Sequence, residues 1–389
     1  MKIVHLCISQ SYFDHWGYQE NLIPEYQVEL EHDVTMISTN KFFPHWLKQE
    51  QIDEILSKGK EYYINNVKVI RINACRLLGT HVVFTYNLYK ALKKEAPDII
   101  FYHEMTNFAT IICSFYKLLH PKVQYFIDSH NDERNAASTK ISEYLYFKFF
   151  LTLMHKFIAL FVTKYYGVTP SRCNFLLSHY GISKKKMKFL PIGCDTKLAN
   201  SLPDKNELRK KYNIPLDSFV VVSGGKMGKF KGTEFLVTAV ENIRKINTNV
   251  VLLLFGTYLD QECENLVKAK NWIVKYGWCD RLTSLELLKL GDVACWPIHH
   301  TTLNEDSISV GTPLLIRKTT TTEHLVDGNG LFLFNAGDIE ELEKKILKIK
   351  EQWGLYKNGA QLIGRKLSYF TIAQTIVDDA MVNLESYRE

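Results

Sequence analysis

Phe219-Val220-Val221-Val222-Ser223-Gly224-Gly225-Lys226-Met227-Gly228-Lys229-Phe230-Lys231-Gly232-Thr233-Glu234 is the stretch on which the fold turns. The run Phe219–Ser223 reads as a strand buried on both faces, and the apolar spacing after Thr233 predicts a helix over Glu234–Lys245. A strand, a glycine-rich connection and a helix open a βαβ unit. The glycines let backbone N–H groups approach a ligand, and the helix N-terminus favours an anion. Lys226, Lys229 and Lys231 add full positive charges. A diphosphate needs such a site. The segment is neither a Walker motif, since Gly224 and Gly228 are too close and Phe230 follows Lys229, nor GxGxxG. A solvated turn with surface lysines gives the same letters, so the segment alone leaves both readings open.

Outward from it, the same theme repeats. Val250–Phe255, Trp272–Tyr276, Val293–Trp296, Pro313–Ile316 and Leu331–Phe334 read as strands, and Leu282–Leu290 and Asp338–Gln352 as helices. Upstream, Lys2–Ile8, Val34–Ser38, Val67–Ile72, Asp98–Tyr102, Val123–Ile127, Tyr166–Val168 and Met187–Leu190 alternate with helical stretches such as Tyr18–Leu30 and Phe84–Lys94. Continuous apolar strands between helices imply parallel sheets covered on both faces. The expected fold class is therefore α/β, with two doubly wound, Rossmann-like domains facing across a cleft: residues 1–196, residues 205–366, and a final helix over residues 367–389 that can cross back to the first domain. The polar stretch Lys197–Asn206 reads as the linker.

Composition sets the outer bounds. A chain of 389 residues predicts two or three domains at about 100–200 residues each. With 46% hydrophobic and 23% charged residues it is neither disordered nor collagen-like. The net charge of +6 suits an anionic small substrate or an anionic membrane surface, and dispersed basic residues without a recognition motif argue against nucleic acid. The eight cysteines include no CxxC pair, so they read as buried thiols in a reducing, cytoplasmic setting. The opening MKIVHLCISQ reads as a strand and not as a secretory leader. Tyr144–Tyr165 is apolar and aromatic but is interrupted by Lys148, His155 and Lys156, so it reads as a domain helix whose stripe can rest on a membrane, with Lys184–Lys188 adding charge.

Three more clusters fall just past predicted strands, where open parallel sheets bind ligands. Ser11–Asn21 places Gly17 at the start of a helix. Asp128-Ser129-His130-Asn131-Asp132-Glu133 offers His130 to a sugar hydroxyl or a shared proton, although a capping turn starting at Asp128 or Asn131 is the plainer alternative. Pro297–Pro313 contains His299, His300, Asn304, Glu305 and Asp306, and a carboxylate there suits the vicinal hydroxyls of a ribose. Asn304 and Glu305 can equally cap the next helix. His299-His300 lacks the further ligands of a metal site, and no Asp-x-Asp occurs.

Together these segments resemble the retaining glycosyltransferases of family four, which have the GT-B architecture, and in particular those that assemble bacterial polysaccharides. Lys226 and Lys231-Gly232 match the family's diphosphate-binding positions, Glu305 with Gly311-Thr312-Pro313 matches its ribose-binding Glu and the small-x-Gly-x-Pro that follows, and His130 matches the His beside the transferred sugar. Gly17–Leu22 and Phe189–Asp195 resemble recurring family segments. The family's first Glu, eight positions earlier, is absent, since Pro297 stands there. Gly311 lies six residues after Glu305 instead of five, which makes Asp306 a second candidate for the ribose acid.

The resemblance implies a catalytic His130, with Gly17, Gly225, Lys226, Lys231, His299, Asn304, Glu305 and Asp306 around a nucleotide-sugar donor. It implies no metal and no cofactor, a glycan or lipid-linked acceptor, and work at the inner face of the membrane with peripheral anionic contact. The sugar would move with retention, a phosphate oxygen of the leaving group taking the acceptor's proton. Two other readings remain open: a degenerate, non-catalytic binding subunit and a sugar-nucleotide epimerase.

Overall fold

The apolar runs form the strands they predict, and the order of those strands decides where polar chemistry can sit. The computed structural model describes residues 1–9, 12–42, 47–77, 83–130 and 151–385. The chain divides into two units, the first made of Met1–Pro191 with Tyr369–Glu389 and the second of Ile192–Ser368.

The first unit is built on β1 (Lys2–Cys7), β2 (Asp33–Thr39), β3 (Glu61–Ile64) and β4 (Val67–Ile72), with a separate antiparallel ribbon of β5 (Ala74–Arg76) and β6 (Val83–Thr85). β7 (Ile99–His103), β8 (Gln124–Ser129), β9 (Lys164–Gly167) and β10 (Met187–Phe189) complete its sheet in the order β10-β9-β8-β7-β1-β2-β4-β3. Only β3 runs antiparallel, along the edge. The chain works outward from β1 to β4 and then resumes on the other side of β1 with β7, so the order reverses between β1 and β7. Side chains alternate as pleating requires. Val4 and Leu6 enter one core with Ile100 and Tyr102, while Ile3 and Cys7 enter the other with Ile99 and Phe101.

The second core is closed by the helix Gln19–Glu29 and by the last helix, Tyr369–Glu385, which buries Ile372, Ile376 and Val377. Asp379 fixes that helix to the sheet, accepting from Lys164 Nζ at 2.6 Å, Tyr166 Oη at 2.8 Å and Lys188 Nζ at 2.9 Å.

The second unit contains β11 (Phe219–Met227), β12 (Val250–Tyr258), β13 (Ile273–Tyr276), β14 (Val293–Trp296), β15 (Leu314–Arg317) and β16 (Gly330–Leu333). Every pairing is parallel and the order is β13-β12-β11-β14-β15-β16. That is the doubly wound order of dinucleotide-binding sheets, with its reversal between β11 and β14.

Several expectations change. The stretch Lys197–Asn206 is not an extended linker: Asp195 caps a helix over Thr196–Ser201, and Asp204 caps another over Lys205–Lys211. The helix expected over Phe84–Lys94 is a strand end followed by a helix at Leu88–Glu95, because Asn87 takes a left-handed conformation and breaks the run. Of the segment Tyr144–Tyr165, residues 144–150 lie outside the described residues; Thr152–Ile158 is helical and β9 begins at Lys164. Among the described residues, no helix is long and apolar enough to cross a membrane.

Asp379 supports a stability prediction. Burial pushes its carboxyl up, but Lys164, Lys188 and Tyr166 outweigh this and hold it below its ordinary value. Replacing Asp379 with Asn should weaken protection of the helix Tyr369–Glu385 by about 3 kcal/mol near neutral pH, read by amide hydrogen exchange. A depressed carboxyl stabilises the fold only while ionised, so the difference between the two proteins should shrink as pH falls below about 4.

Candidate functional site

In the second unit the reversal point lies between the carboxyl ends of β11 and β14, and the two stretches singled out in the sequence emerge there. The glycine segment is not a loop. β11 continues through it, pairing Gly225 with Gly256 and Met227 with Tyr258. A Cβ at Gly256 would stand 2.0 Å from the Gly225 carbonyl oxygen, and both residues have positive φ, so the two strands can close here only as glycines. Past Met227, Lys229–Lys231 makes a single 3-10 turn, and the helix Thr233–Ile246 begins after Gly232. The Lys229 backbone N–H donates to Asp260 Oδ2 at 3.0 Å, which pins the turn.

Lys226 is exposed and Lys231 half-buried, and among the described residues neither makes an ion pair. Burial and the neighbouring Lys226 both push the Lys231 ammonium below its ordinary value. Two ammonium groups beside the start of a 14-residue helix supply the positive charge that suits an anion.

The stretch after β14 packs against this segment. Trp296 Nε1–H donates to the Gly224 carbonyl at 3.0 Å, and the His299 ring stacks on Phe230 with centroids 4.2 Å apart. His300 Nε2–H donates to Glu305 Oε1 at 3.0 Å, and Glu305 is 2% exposed. Its second oxygen, Oε2, is buried and has no hydrogen-bond partner among the described residues. A carboxylate oxygen in that state is costly unless a ligand donor reaches it.

Asp306 is engaged elsewhere. Arg281 reaches it at 3.3 Å and reaches Asp195 at 3.4 Å. Burial pushes the Asp306 carboxyl up to about 6, more than Arg281 pulls it down. Asn304 accepts from the Thr301 backbone N–H at 3.0 Å, a local turn, and leaves its buried Nδ2 without a partner. Glu305 is therefore better placed than Asp306 for a pair of hydroxyls. Among the described residues, no group of three His, Cys, Asp or Glu side chains is placed to hold a metal ion.

The first unit has its own polar cluster at the reversal between β1 and β7. His130 follows β8 directly, and its Nε2 lies 3.6 Å from Asp128 Oδ2, with the side chain 27% exposed. Asp128 is not a helix cap. It accepts from His103 Nδ1–H at 3.0 Å, from Gln19 Nε2–H at 3.1 Å and from the Glu104 backbone N–H at 2.8 Å. Burial raises Asp128, but His103 and His130 overcome this and hold it well below the carboxylate range. Burial lowers His130, but Asp128, with Glu104 and Glu20, raises it above its ordinary value.

Gly17 lies two residues before the helix Gln19–Glu29, and the side chain that this connection contributes is Gln19. Asn131, Asp132 and Glu133 lie outside the described residues. Glu104 was not foreseen. It is buried, adopts φ +72, and its carboxyl, raised by burial, accepts backbone N–H groups of Met105 and His130. A non-glycine residue in that conformation is strained, and such strain concentrates at functional sites. The rule that flagged His130, polar residues directly after a buried strand, also fits His103-Glu104.

Residues 218–352 match the family model described as glycosyl transferases group 1. An uncharacterized glycosyltransferase of Methanocaldococcus jannaschii is 26% identical over 234 residues, which cover 58% of this chain and 52%, about half, of that protein. HepE of Anabaena in complex with UDP superposes with a TM-score of 0.67 at 15% identity, covering 97% of this chain and 99% of that one. The UDP-GlcNAc 2-epimerase of Neisseria meningitidis, bound to UDP-GlcNAc, gives 0.62 at 15% identity, covering 98% and 100%. At such identities the likeness speaks for the fold. Residues 218–352 thus resemble the glycosyl transferases group 1 family, in a chain with the GT-B fold of glycosyltransferase structures.

Proposed function

We propose that this protein is a retaining glycosyltransferase that moves a sugar from a nucleoside-diphosphate sugar to a glycan or lipid-linked glycan, in the synthesis of a cell-surface polysaccharide. The observation that carries the reading is the pairing, at one reversal point, of two unpaired lysines with a buried carboxylate that has one unsatisfied oxygen. Lys226, Lys231 and the start of the helix Thr233–Ile246 take the diphosphate, and Glu305 Oε2 takes the ribose hydroxyls. As the glycosidic bond to phosphate breaks, negative charge grows on the leaving diphosphate, where the lysines stabilise it. The acceptor hydroxyl attacks from the same face and gives its proton to a leaving-group phosphate oxygen. His130 and Glu104 are the sugar-facing groups of the first unit. The nucleotide of HepE and the sugar nucleotide of the epimerase are consistent with such a donor.

The protein is proposed to work in the cytoplasm at the inner membrane face. The free thiols of all eight cysteines fit a reducing compartment. Phe157 is 51% exposed and Leu160 is 74% exposed, an apolar stripe that suits a membrane surface. Of the nearby lysine run, Lys186 binds the carbonyls of Ala159 and Val162 and Lys188 binds Asp379, so Lys184 and Lys185 are the residues left to meet anionic lipid.

Lys231→Ala should weaken binding of a nucleoside diphosphate by roughly 10- to 150-fold, the loss of a charged hydrogen bond of about 1.5–3 kcal/mol, read by titration calorimetry. Lys226→Ala should act similarly and Lys229→Ala much less. Glu305→Gln should weaken nucleoside binding while Asp306→Asn changes it little; the reverse ranking would assign the ribose to Asp306.

Turnover should also survive a chelator, since lysines meet the diphosphate charge, and the product should keep the donor's anomeric configuration by NMR. Consumption of the nucleotide sugar without any acceptor would favour an epimerase instead. Tight donor binding with no turnover would favour a non-catalytic subunit.

A further inference from the structure

A chain of buried side chains runs from the helix Gln19–Glu29 through the sheet of the first unit to Asp128. His5 lies in the middle of β1 with no solvent exposure. Its Nε2 lies 2.6 Å from Gln27 Oε1, and its Nδ1 lies 3.0 Å from His103 Nε2. His103 Nδ1 in turn lies 3.0 Å from Asp128 Oδ2, the oxygen that His130 approaches. An apolar residue at position 5 would satisfy the strand with less cost, so two imidazoles in the sheet interior call for a reason beyond packing.

Counting protons along the chain supplies one. If the Gln27 carbonyl accepts from His5 Nε2–H, then His5 Nδ1 must accept from His103 Nε2–H. His103 also donates through Nδ1 to Asp128, so it carries two protons and a positive charge. If the Gln27 amide is turned over, its NH2 donates to His5 Nε2. His5 Nδ1–H then donates to His103 Nε2, and His103 still donates through Nδ1 to Asp128 with both imidazoles neutral. The two arrangements differ by one proton and one amide rotation, and either leaves one Gln27 atom unbonded, as Nε2 is here.

We propose that His103, backed by His5 and Gln27, is a positioning residue that sets how much of the Asp128 charge is available to His130. When His103 is charged, Asp128 is neutralised from within the core. When His103 is neutral, the carboxylate turns its charge to His130, which then holds a proton more tightly. Among the described residues, the other ionisable groups around this chain are Glu104 after β7, Cys7 on β1 with Arg71 and Arg76 near it, and Glu20 on the helix; Glu104 and Glu20 favour a charged His130. Burial and His103 together push His5 down to about 3, so it stays neutral as the scheme requires.

The test is a histidine NMR titration of the free, full-length protein, which needs neither donor nor turnover and so stands apart from the transferase reading. In the unaltered protein, His5 should keep one tautomer and not titrate between about pH 5 and 8. His103→Gln removes the competing cation, and His5→Phe removes the acceptor that a charged His103 needs. Both should raise the His130 midpoint by about one pH unit or more. A purely structural role for the two imidazoles would leave that midpoint in place in a folded variant. An unchanged or lowered His130 midpoint in whichever variant folds would overturn the proposal. So would titration of His5 near its ordinary value, a result that stands even if both variants misfold.

Discussion

A parallel sheet covered on both faces leaves no room in its middle for polar groups without partners, and that constraint organises both units. Polar chemistry surfaces only at the carboxyl ends of strands, and most openly where the strand order reverses and neighbouring connections diverge. The second unit obeys without exception along β11, which is apolar from Phe219 to Val222 and turns polar at Ser223. The first unit departs from the rule at His5, and the departure is balanced by Gln27 on one side and His103 on the other.

The two reversal points handle charge in opposite ways. In the second unit, Lys226 and Lys231 lie near each other and, among the described residues, without counter-ions, so their mutual repulsion is one that the proposed diphosphate would relieve. In the first unit, Asp128 accepts from three donors, Gln19, His103 and the Glu104 backbone N–H. The departure seen in the sequence, Pro297 eight positions before Glu305 with His299-His300 in the loop that follows, has a structural counterpart. His299 stacks on Phe230 and His300 holds one oxygen of Glu305, so the two imidazoles tie this loop to its neighbours.

Much of this was legible in the letters. Strands such as Val67–Ile72 and Val293–Trp296 coincide with their apolar runs because a strand buried on both faces cannot hide its composition. The edge strand Glu61–Ile64 and the ribbon of β5 and β6 were missed, being short and largely uncovered. The glycine segment looked like a loop because its strand character depends on Gly256, about thirty residues away, and no local pattern records that pairing. His5 was hidden for the opposite reason: one polar letter inside an apolar run reads as noise until its partners from residues 27 and 103 are placed beside it. Lys226, Lys231 and Glu305 stood out because they fall past predicted strands, where open parallel sheets bind ligands.

The choice between Glu305 and Asp306 shows what structure adds. Spacing to Gly311 allowed either acid. Successive residues on a helix point about 100° apart, so two adjacent carboxylates on Leu303–Ser309 must face different neighbours. Asp306 faces Arg281 and shares it with Asp195, which gives its charge a counter-ion inside the unit. Glu305 faces His300, a single donor that satisfies one oxygen and leaves the other bare. A carboxylate already engaged by a guanidinium has less to gain from sugar hydroxyls than one with an empty acceptor. The proposed role therefore falls to Glu305, while Asp306 ties the short helix Leu303–Ser309 to Arg281.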